Sequence, residues 1–178
     1  MSRLIVAVAF AAFLTGCLGP SVPHPLAGES RYLCCNLHYE KTKINDVNYQ
    51  VGSVIPLGTH VRISDISAKA LTFQPDGHPA ITVLLRYGRK TIDMDTFVDR
   101  LLVRDDPRRR LPGGNVGTLI KSSRVDEGMT RKQVLMSLGY PPAHRTPSLD
   151  GPQWTYWQNR WVTFTVTFEG DRVASTTR

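Results

Sequence analysis

The chain has 178 residues, of which 41% are apolar and 21% charged, and its formal net charge is +7 at pH 7. This composition is that of an ordinary globular chain, which excludes a polytopic membrane protein, and the length suits one domain or two small ones. The positive charge favours an anionic partner such as lipid headgroups, lipopolysaccharide or an acidic protein face.

The first residues contain the parts of a secretory signal. Arg3 precedes an unbroken apolar run over residues 4–14, and small residues follow it. As a helix the run would be about 16 Å long, roughly half of a ~30 Å hydrocarbon core. It therefore predicts export and not a transmembrane span, and export argues against a nucleic-acid partner.

The signal ends in Leu14-Thr15-Gly16-Cys17, which resembles the lipobox of bacterial lipoproteins. The resemblance implies cleavage by signal peptidase II between Gly16 and Cys17, a diacylglycerol on the Cys17 sulfur, and acylation of the new amino group, for example by palmitate. Two or three acyl chains would hold the protein on a bilayer, since each buried CH₂ contributes about 0.8 kcal/mol. The alternative is an ordinary signal with an incidental cysteine.

Residues 17–30 are predicted to form the lipidated cysteine and a tether. Three prolines and two glycines in residues 18–28 are typical of a semi-rigid, extended spacer. Leu18 stands where inner-membrane lipoproteins carry Asp, so the resemblance favours the outer membrane, with the protein facing the periplasm.

Residues 31–105 are predicted to form a β-rich domain. Candidate strands cover residues 32–39, 47–54, 59–63, 71–73 and 80–87. The spacing of Met94, Phe97 and Leu101 predicts one helix over residues 91–103, with Asp93 and Asp95 near its start. Short strands at this spacing suggest a small barrel or sandwich, and their order resembles an SH3-like barrel.

Cys34 and Cys35 are predicted not to bridge each other, because a bridge between adjacent residues would strain the peptide that joins them. In a strand the two side chains would also point to opposite faces, which disfavours shared metal ligation. The expectation is one buried thiol, with an intermolecular disulfide through the other as an alternative. A metal site with His38 is disfavoured, because the spacing is not that of a structural zinc motif.

Residues 106–115 are predicted to be a linker, rich in charge, Pro and Gly. Arg108, Arg109 and Arg110 are candidates for contacts with phosphates on a lipid or sugar. The alternative is a solvated linker.

A helix with start and stop signals opens the last segment. Thr130 is a good N-cap and Gln133 completes a capping box, while Met129 and Val134 suit a hydrophobic staple. Gly139 ends the helix. Strands over residues 153–158 and 161–168, a turn over 169–172 and a last strand over 173–176 predict a three-stranded antiparallel meander.

This segment is similar to the SmpA/OmlA (BamE-like) family. The resemblance rests on Gly128-Met129-Thr130-x-x-Gln133-Val134, Leu138-Gly139-x-Pro141, Trp154-x-Tyr156 and residues 165–173. It implies that residues 116–178 form a helical pair, its first helix over 116–122, packed on the meander. The expected fold class is therefore α+β, with a β-rich, SH3-like domain followed by an SmpA/OmlA-like domain.

The sequence predicts that the protein functions by binding partners and not by catalysis. No catalytic or phosphate-binding motif is present, so no enzyme activity, cofactor, metal or small-molecule substrate is expected. Trp154, Trp157 and Trp161 are candidates for a partner surface, with core packing as the alternative for one or two of them. The protein is thus expected to be a lipid-anchored scaffold that contacts an envelope complex or outer-membrane protein; the alternative is a protein that binds or acts on a glycan or cell-wall ligand through the β-rich domain.

Overall fold

The computed structural model describes residues 23–177, so the predicted signal peptide, Gly16 and Cys17 lie outside the described residues. Within this range the protein has the predicted α+β fold class. The described elements are β1 Ser30–Leu33, β2 Leu37–Tyr39, β3 Lys43–Asn45, β4 Ser53–Ile55, β5 His60–Ser67, β6 Ala70–Pro75, β7 Ile81–Leu84, α1 Met94–Leu101, β8 Leu102–Val103, α2 Gly114–Lys121, α3 Arg131–Leu138, β9 Gln153–Trp157, β10 Thr163–Glu169 and β11 Arg172–Thr177. No helix in residues 23–177 has the length and apolar character needed to cross a bilayer.

The N-terminal unit, residues 30–103, is built on a six-stranded sheet. Its strand order is β3-β7-β6-β5-β1-β8, with β3 parallel to β7 and the other pairs antiparallel, while β2 and β4 form a separate pair. Alternation along β5 buries Val61 and Ile63 and exposes Arg62, which confirms the predicted strand there.

Two of the strand predictions in this unit are wrong. The segment 32–39 is not one strand, because β1 ends at Leu33 and the chain bends before β2. Of the segment 47–54, only the end belongs to β4. Asn48 and Gly52 both have positive φ, at 50° and 82°, and this left-handed backbone cannot continue a strand.

Helix α1 lies within the predicted range 91–103 but is shorter at both ends, since it begins at Met94 and ends at Leu101. The Asp93 carboxylate accepts a hydrogen bond from the Thr96 amide at 2.7 Å, which caps the helix, and hydrogen bonds from Thr96 lower the pKa of Asp93. The chain leaves the helix after Leu101 because Leu102 and Val103 pair with β1 as β8.

The C-terminal unit, residues 114–177, contains the predicted helices and meander. The Thr130 hydroxyl accepts from the Gln133 amide, and the Gln133 side chain accepts from the Thr130 amide at 2.8 Å, so the capping box is present. Gly139 follows α3 with a φ of 81°. Strands β9, β10 and β11 form the antiparallel sheet β11-β10-β9.

Each unit has its own apolar core, and a polar seam joins the two. One core gathers around Phe73 and Ile81 and the other around Ile120 and Trp154, all of which are buried. Between them lies Asn36, which is fully buried. Its Nδ2 donates to the carbonyls of Ile120 at 2.6 Å and Ser137 at 3.1 Å. Its Oδ1 accepts from the Leu57 amide at 2.9 Å.

Candidate binding surface

The exposed large hydrophobic side chains among residues 23–177 lie on segments from both units. They are Tyr87, Trp161 and Val162, which are 41%, 77% and 45% exposed. Tyr87 lies shortly after β7, and Trp161 and Val162 lie in the turn between β9 and β10. Single exposed apolar side chains are common on protein surfaces, whereas those that lie together indicate an interaction surface.

Each exposed aromatic ring has an arginine stacked on it. The guanidinium carbon of Arg160 lies 4.3 Å from the Trp161 ring centroid, and that of Arg86 lies 5.5 Å from the centroid of Tyr87. These are cation–π distances. The Asn159 carboxamide oxygen accepts from the amides of Trp161 at 2.8 Å and Val162 at 3.0 Å, which fixes the turn that presents them.

Tyr49 lies near Tyr87 of its own unit and contacts Trp157 of the other unit. Its ring meets that of Trp157 edge-on, with centroids 6.4 Å apart. Burial raises the pKa of Tyr49, the neighbouring Tyr87 raises it further, and Arg160 lowers it, so this hydroxyl lies within electrostatic reach of both. We call Tyr49, Tyr87, Trp157, Trp161 and Val162, with Arg86 and Arg160, the aromatic–arginine surface.

The three tryptophans predicted to form a partner surface have three different environments. The prediction is wrong for Trp154, which is 1% exposed, packs on Phe168 and donates to the Leu149 carbonyl at 3.1 Å. A side chain that fills the core cannot contact a partner. Trp157 is half-buried against Tyr49, and Trp161 is the most exposed of the three.

The arginines of the predicted linker lie on a short 3₁₀ helix, Pro107–Arg110. Arg108 is engaged with Asp106, its Nη2 lying 2.7 Å from Oδ2 and its Nε 3.0 Å from Oδ1. The hydrogen bond from Arg108 lowers the pKa of Asp106. Arg109 and Arg110 are exposed.

The prediction that Cys34 and Cys35 do not bridge is wrong, since a disulfide joins them. The two residues lie in the bend after β1 and not in a strand, so their side chains do not alternate between faces. Paired sulfurs are not thiolate ligands. No cluster of three or more metal-ligating side chains occurs in the part of the chain that the structure describes.

Searches against family models, curated proteins and solved structures find no match to this chain. Sequence reasoning missed Tyr49, Tyr87, Val162 and the two stacking arginines. The one available signal was the triplet Arg160-Trp161-Val162, which places two apolar residues beside a turn.

Proposed function

We propose that this protein is a lipid-anchored scaffold or interaction module that acts in outer-membrane assembly or envelope integrity. It would be held by Cys17 on the periplasmic side of the outer membrane and would work by contact, without catalysis. The observation that carries the proposal is the aromatic–arginine surface, which gathers the exposed large hydrophobic side chains of residues 23–177.

The composition of this surface suits a protein partner. Tryptophan, tyrosine and arginine dominate the binding energy of protein interfaces. Arg86 and Arg160 add positive charge beside the apolar side chains, which favours a partner with acidic groups around an apolar centre. An acyl anchor at Cys17 would raise the local concentration of such a partner by confining both to the membrane.

The finer fold assignments belong to the same proposal. The pair α2 and α3 with the sheet β11-β10-β9 supports an SmpA/OmlA (BamE-like) fold for residues 116–178. The antiparallel run β7-β6-β5-β1 supports an SH3-like barrel for residues 31–105.

The anchor is tested by metabolic labelling of the full chain with palmitate, followed by membrane fractionation. The wild-type chain is expected to take up label and to sediment with the outer membrane. The Cys17→Ser variant is expected to lose the label and to enter the aqueous extract. Equal fractionation of the two chains without label would refute the anchor.

The contact surface is tested by a photo-crosslinking residue at position 161 in intact cells. The matched control carries the same residue at position 99, which is exposed on α1. We expect a discrete crosslink to an outer-membrane protein or a member of an envelope complex from position 161 and none from position 99. Identical crosslinks from both positions, or none from either, would contradict the assignment.

A further inference from the structure

A cleft of about 330 Å³ opens beside the Cys34–Cys35 disulfide, between the N-terminal unit, the linker and helix α3. Cys34 is partly exposed and lines this cleft. Cys35 is only 2% exposed and belongs to the apolar core of the N-terminal unit. Molecules that enter the cleft can therefore contact the Cys34 side of the bridge, while the Cys35 side lies within the protein.

A disulfide between neighbouring residues contributes little to the stability of a fold. Disulfides stabilise proteins mainly by closing a loop in the unfolded chain, and the effect grows with the number of residues in that loop. Cys34 and Cys35 are adjacent, so their bridge closes almost no chain. Loop closure therefore does not account for this bridge, and exposed disulfides are typically the labile, regulatory or catalytic ones.

Positive charge predominates in the cleft. Three exposed cations line it, namely Arg104, Arg110 and Lys132. None of the three forms a salt bridge with another residue in the range 23–177. Of the two acids in the lining, Asp106 is paired with Arg108, so Asp105 is the one that opposes the cations. Thiol–disulfide exchange proceeds by attack of a thiolate, which is an anion and is stabilised by nearby cations.

Apolar side chains line the same cleft beside these charges. Val103 contributes from β8, and Leu135 and Met136 contribute from α3. The volume of the cleft lies at the lower end of the range for small-molecule sites. The cleft therefore has room for a small thiol or for a cysteine that projects from the surface of another protein, and its cations favour a thiol with acidic groups beside it.

We propose that the Cys34–Cys35 bridge is a site of thiol–disulfide exchange, reduced by a dithiol donor whose attacking thiol is flanked by acidic groups. The donor's thiolate forms a bond to the Cys34 sulfur, and the bond between Cys34 and Cys35 breaks. Cys35 leaves as a thiolate, in a small pocket that Arg100 also lines, and takes up a proton. The donor's second thiol then loses its proton and displaces Cys34, which is protonated in turn. Two electrons reach the bridge, and the donor ends as a disulfide.

The proposal does not rest on the lipid anchor or on the aromatic–arginine surface. The cleft shares no lining residue with that surface. Failure of the exchange site would therefore leave the proposed scaffold function standing, and failure of the scaffold function would leave the exchange site standing.

The first test is reduction of the folded full chain, in detergent at pH 7, by dithiothreitol. Thiols are then labelled with N-ethylmaleimide, and the tryptic peptide of residues 32–41, which contains both cysteines of the bridge, is weighed by mass spectrometry. We expect no label before reduction, a label on each cysteine after it, and loss of labelling when the reduced chain is reoxidised with glutathione disulfide. Labelling before reduction, or reduction that requires urea, would overturn the proposal.

The second test compares two thiols of the same size and opposite charge, the anion mercaptoethanesulfonate and the cation cysteamine. The rate for each thiol with the folded chain is divided by its rate with the chain in urea, which removes differences in intrinsic reactivity. Because cations line the cleft, we expect the corrected rate of the anionic thiol to be about tenfold higher than that of the cationic one. Equal corrected rates, or a preference for cysteamine, would refute the role of the cleft.

A pair of charge variants then locates the effect. Lys132→Glu reverses one charge of the cleft at an exposed position and should lower the preference for the anionic thiol about threefold. The matched control is Lys69→Glu, which makes the same change at an exposed position in the turn between β5 and β6, outside the cleft, and should keep the wild-type preference. An equal change in both variants would mean that net charge, and not the cleft, selects the thiol, and would overturn the assignment.

Discussion

The two units differ in how far apart in the sequence their paired strands are. In the N-terminal unit β1 pairs with both β5 and β8, and β3 pairs with the distant β7. In the C-terminal unit the sheet is a meander of neighbours, and α3 carries its own start and stop signals. The comparison shows that a unit built from local contacts can be predicted from its sequence, whereas a unit that depends on pairing between distant strands cannot.

The cores and the seam are stabilised by different kinds of interaction. Each core is apolar and lies largely within its own unit, but the seam depends on amide side chains that reach carbonyls across it. Besides Asn36, the Asn48 Nδ2 donates to the Leu138 carbonyl at 2.9 Å, at the end of α3. Hydrogen bonds are directional, so the seam fixes one relative placement of the units where apolar packing would tolerate several.

Replacing Asn36 with Leu should have the largest effect on the free energy of unfolding, because it removes the central side chain of the seam. The change leaves the Ser137 carbonyl and the Leu57 amide without a partner, whereas the Ile120 carbonyl keeps the hydrogen bond from the Ser123 amide at 3.1 Å. At about 1–3 kcal/mol for each unsatisfied group, we expect the free energy of unfolding to fall by roughly 3–5 kcal/mol. Urea titration measures this loss.

The same variant tests whether the seam couples the two units. All three tryptophans lie in the C-terminal unit, so their fluorescence reports on that unit, while hydrogen exchange in β5 and β6 reports on the other. We expect coincident transitions in the wild type and separate ones in Asn36→Leu. The control is Asn115→Leu at an exposed position, which should stay within about 0.5 kcal/mol of the wild type. Coincident transitions in the Asn36 variant would show that the seam does not couple the units.

The sequence separation between contacting residues also explains how much of the fold could be predicted from the sequence. The cap at Thr130 and the stop at Gly139 follow from residues close together in the chain, and the structure confirms them. The bend between β1 and β2 is different, because Asn36 is held by carbonyls more than eighty positions away. Nothing in a local window shows those partners.

The candidate surface follows the same rule. Trp161 stands out in the sequence as an aromatic residue beside a turn, whereas Tyr49 and Tyr87 come close to Trp157 and Arg160 only because the two units meet. Trp154 was wrongly included in the surface because the number of aromatic residues in a small sheet does not say which of them fill the core. The Leu149 carbonyl and Phe168, which cover it, come from a loop and a neighbouring strand.

The burial of His38 predicts that the stability of the protein depends on pH. Burial lowers its pKa in the folded protein, so as the pH falls below about 6.5 the unfolded chain takes up a proton before the folded one does. Stability should therefore fall as the pH drops through this range, by at most about 1.4 kcal/mol per pH unit from this group. His38→Phe should flatten that part of a plot of unfolding free energy against pH. If the slope of unfolding free energy against pH is unchanged in the His38 variant, His38 is not the origin of this pH dependence.

The smallest expected effect compares one helix cap from each unit. Thr130→Ala removes the hydroxyl that accepts from the Gln133 amide and should lower stability by about 1 kcal/mol. Because Thr130 does not titrate, this loss should be the same at pH 7 and at low pH. Asp93→Ala removes a carboxylate cap whose pKa is lowered by hydrogen bonds from Thr96, so its contribution is present above the ordinary pKa of an aspartate and disappears as the pH falls.

The control for this pair is Thr130→Ser, which keeps the accepting oxygen and should restore most of the loss. Chemical denaturation of the three variants at pH 7 and at pH 3 separates the caps, since only the Asp93 loss should become smaller at the lower pH. If Thr130→Ser is as costly as Thr130→Ala, methyl packing and not the capping box holds the start of α3. The C-terminal unit would then depend less on local hydrogen bonding than its sequence indicates.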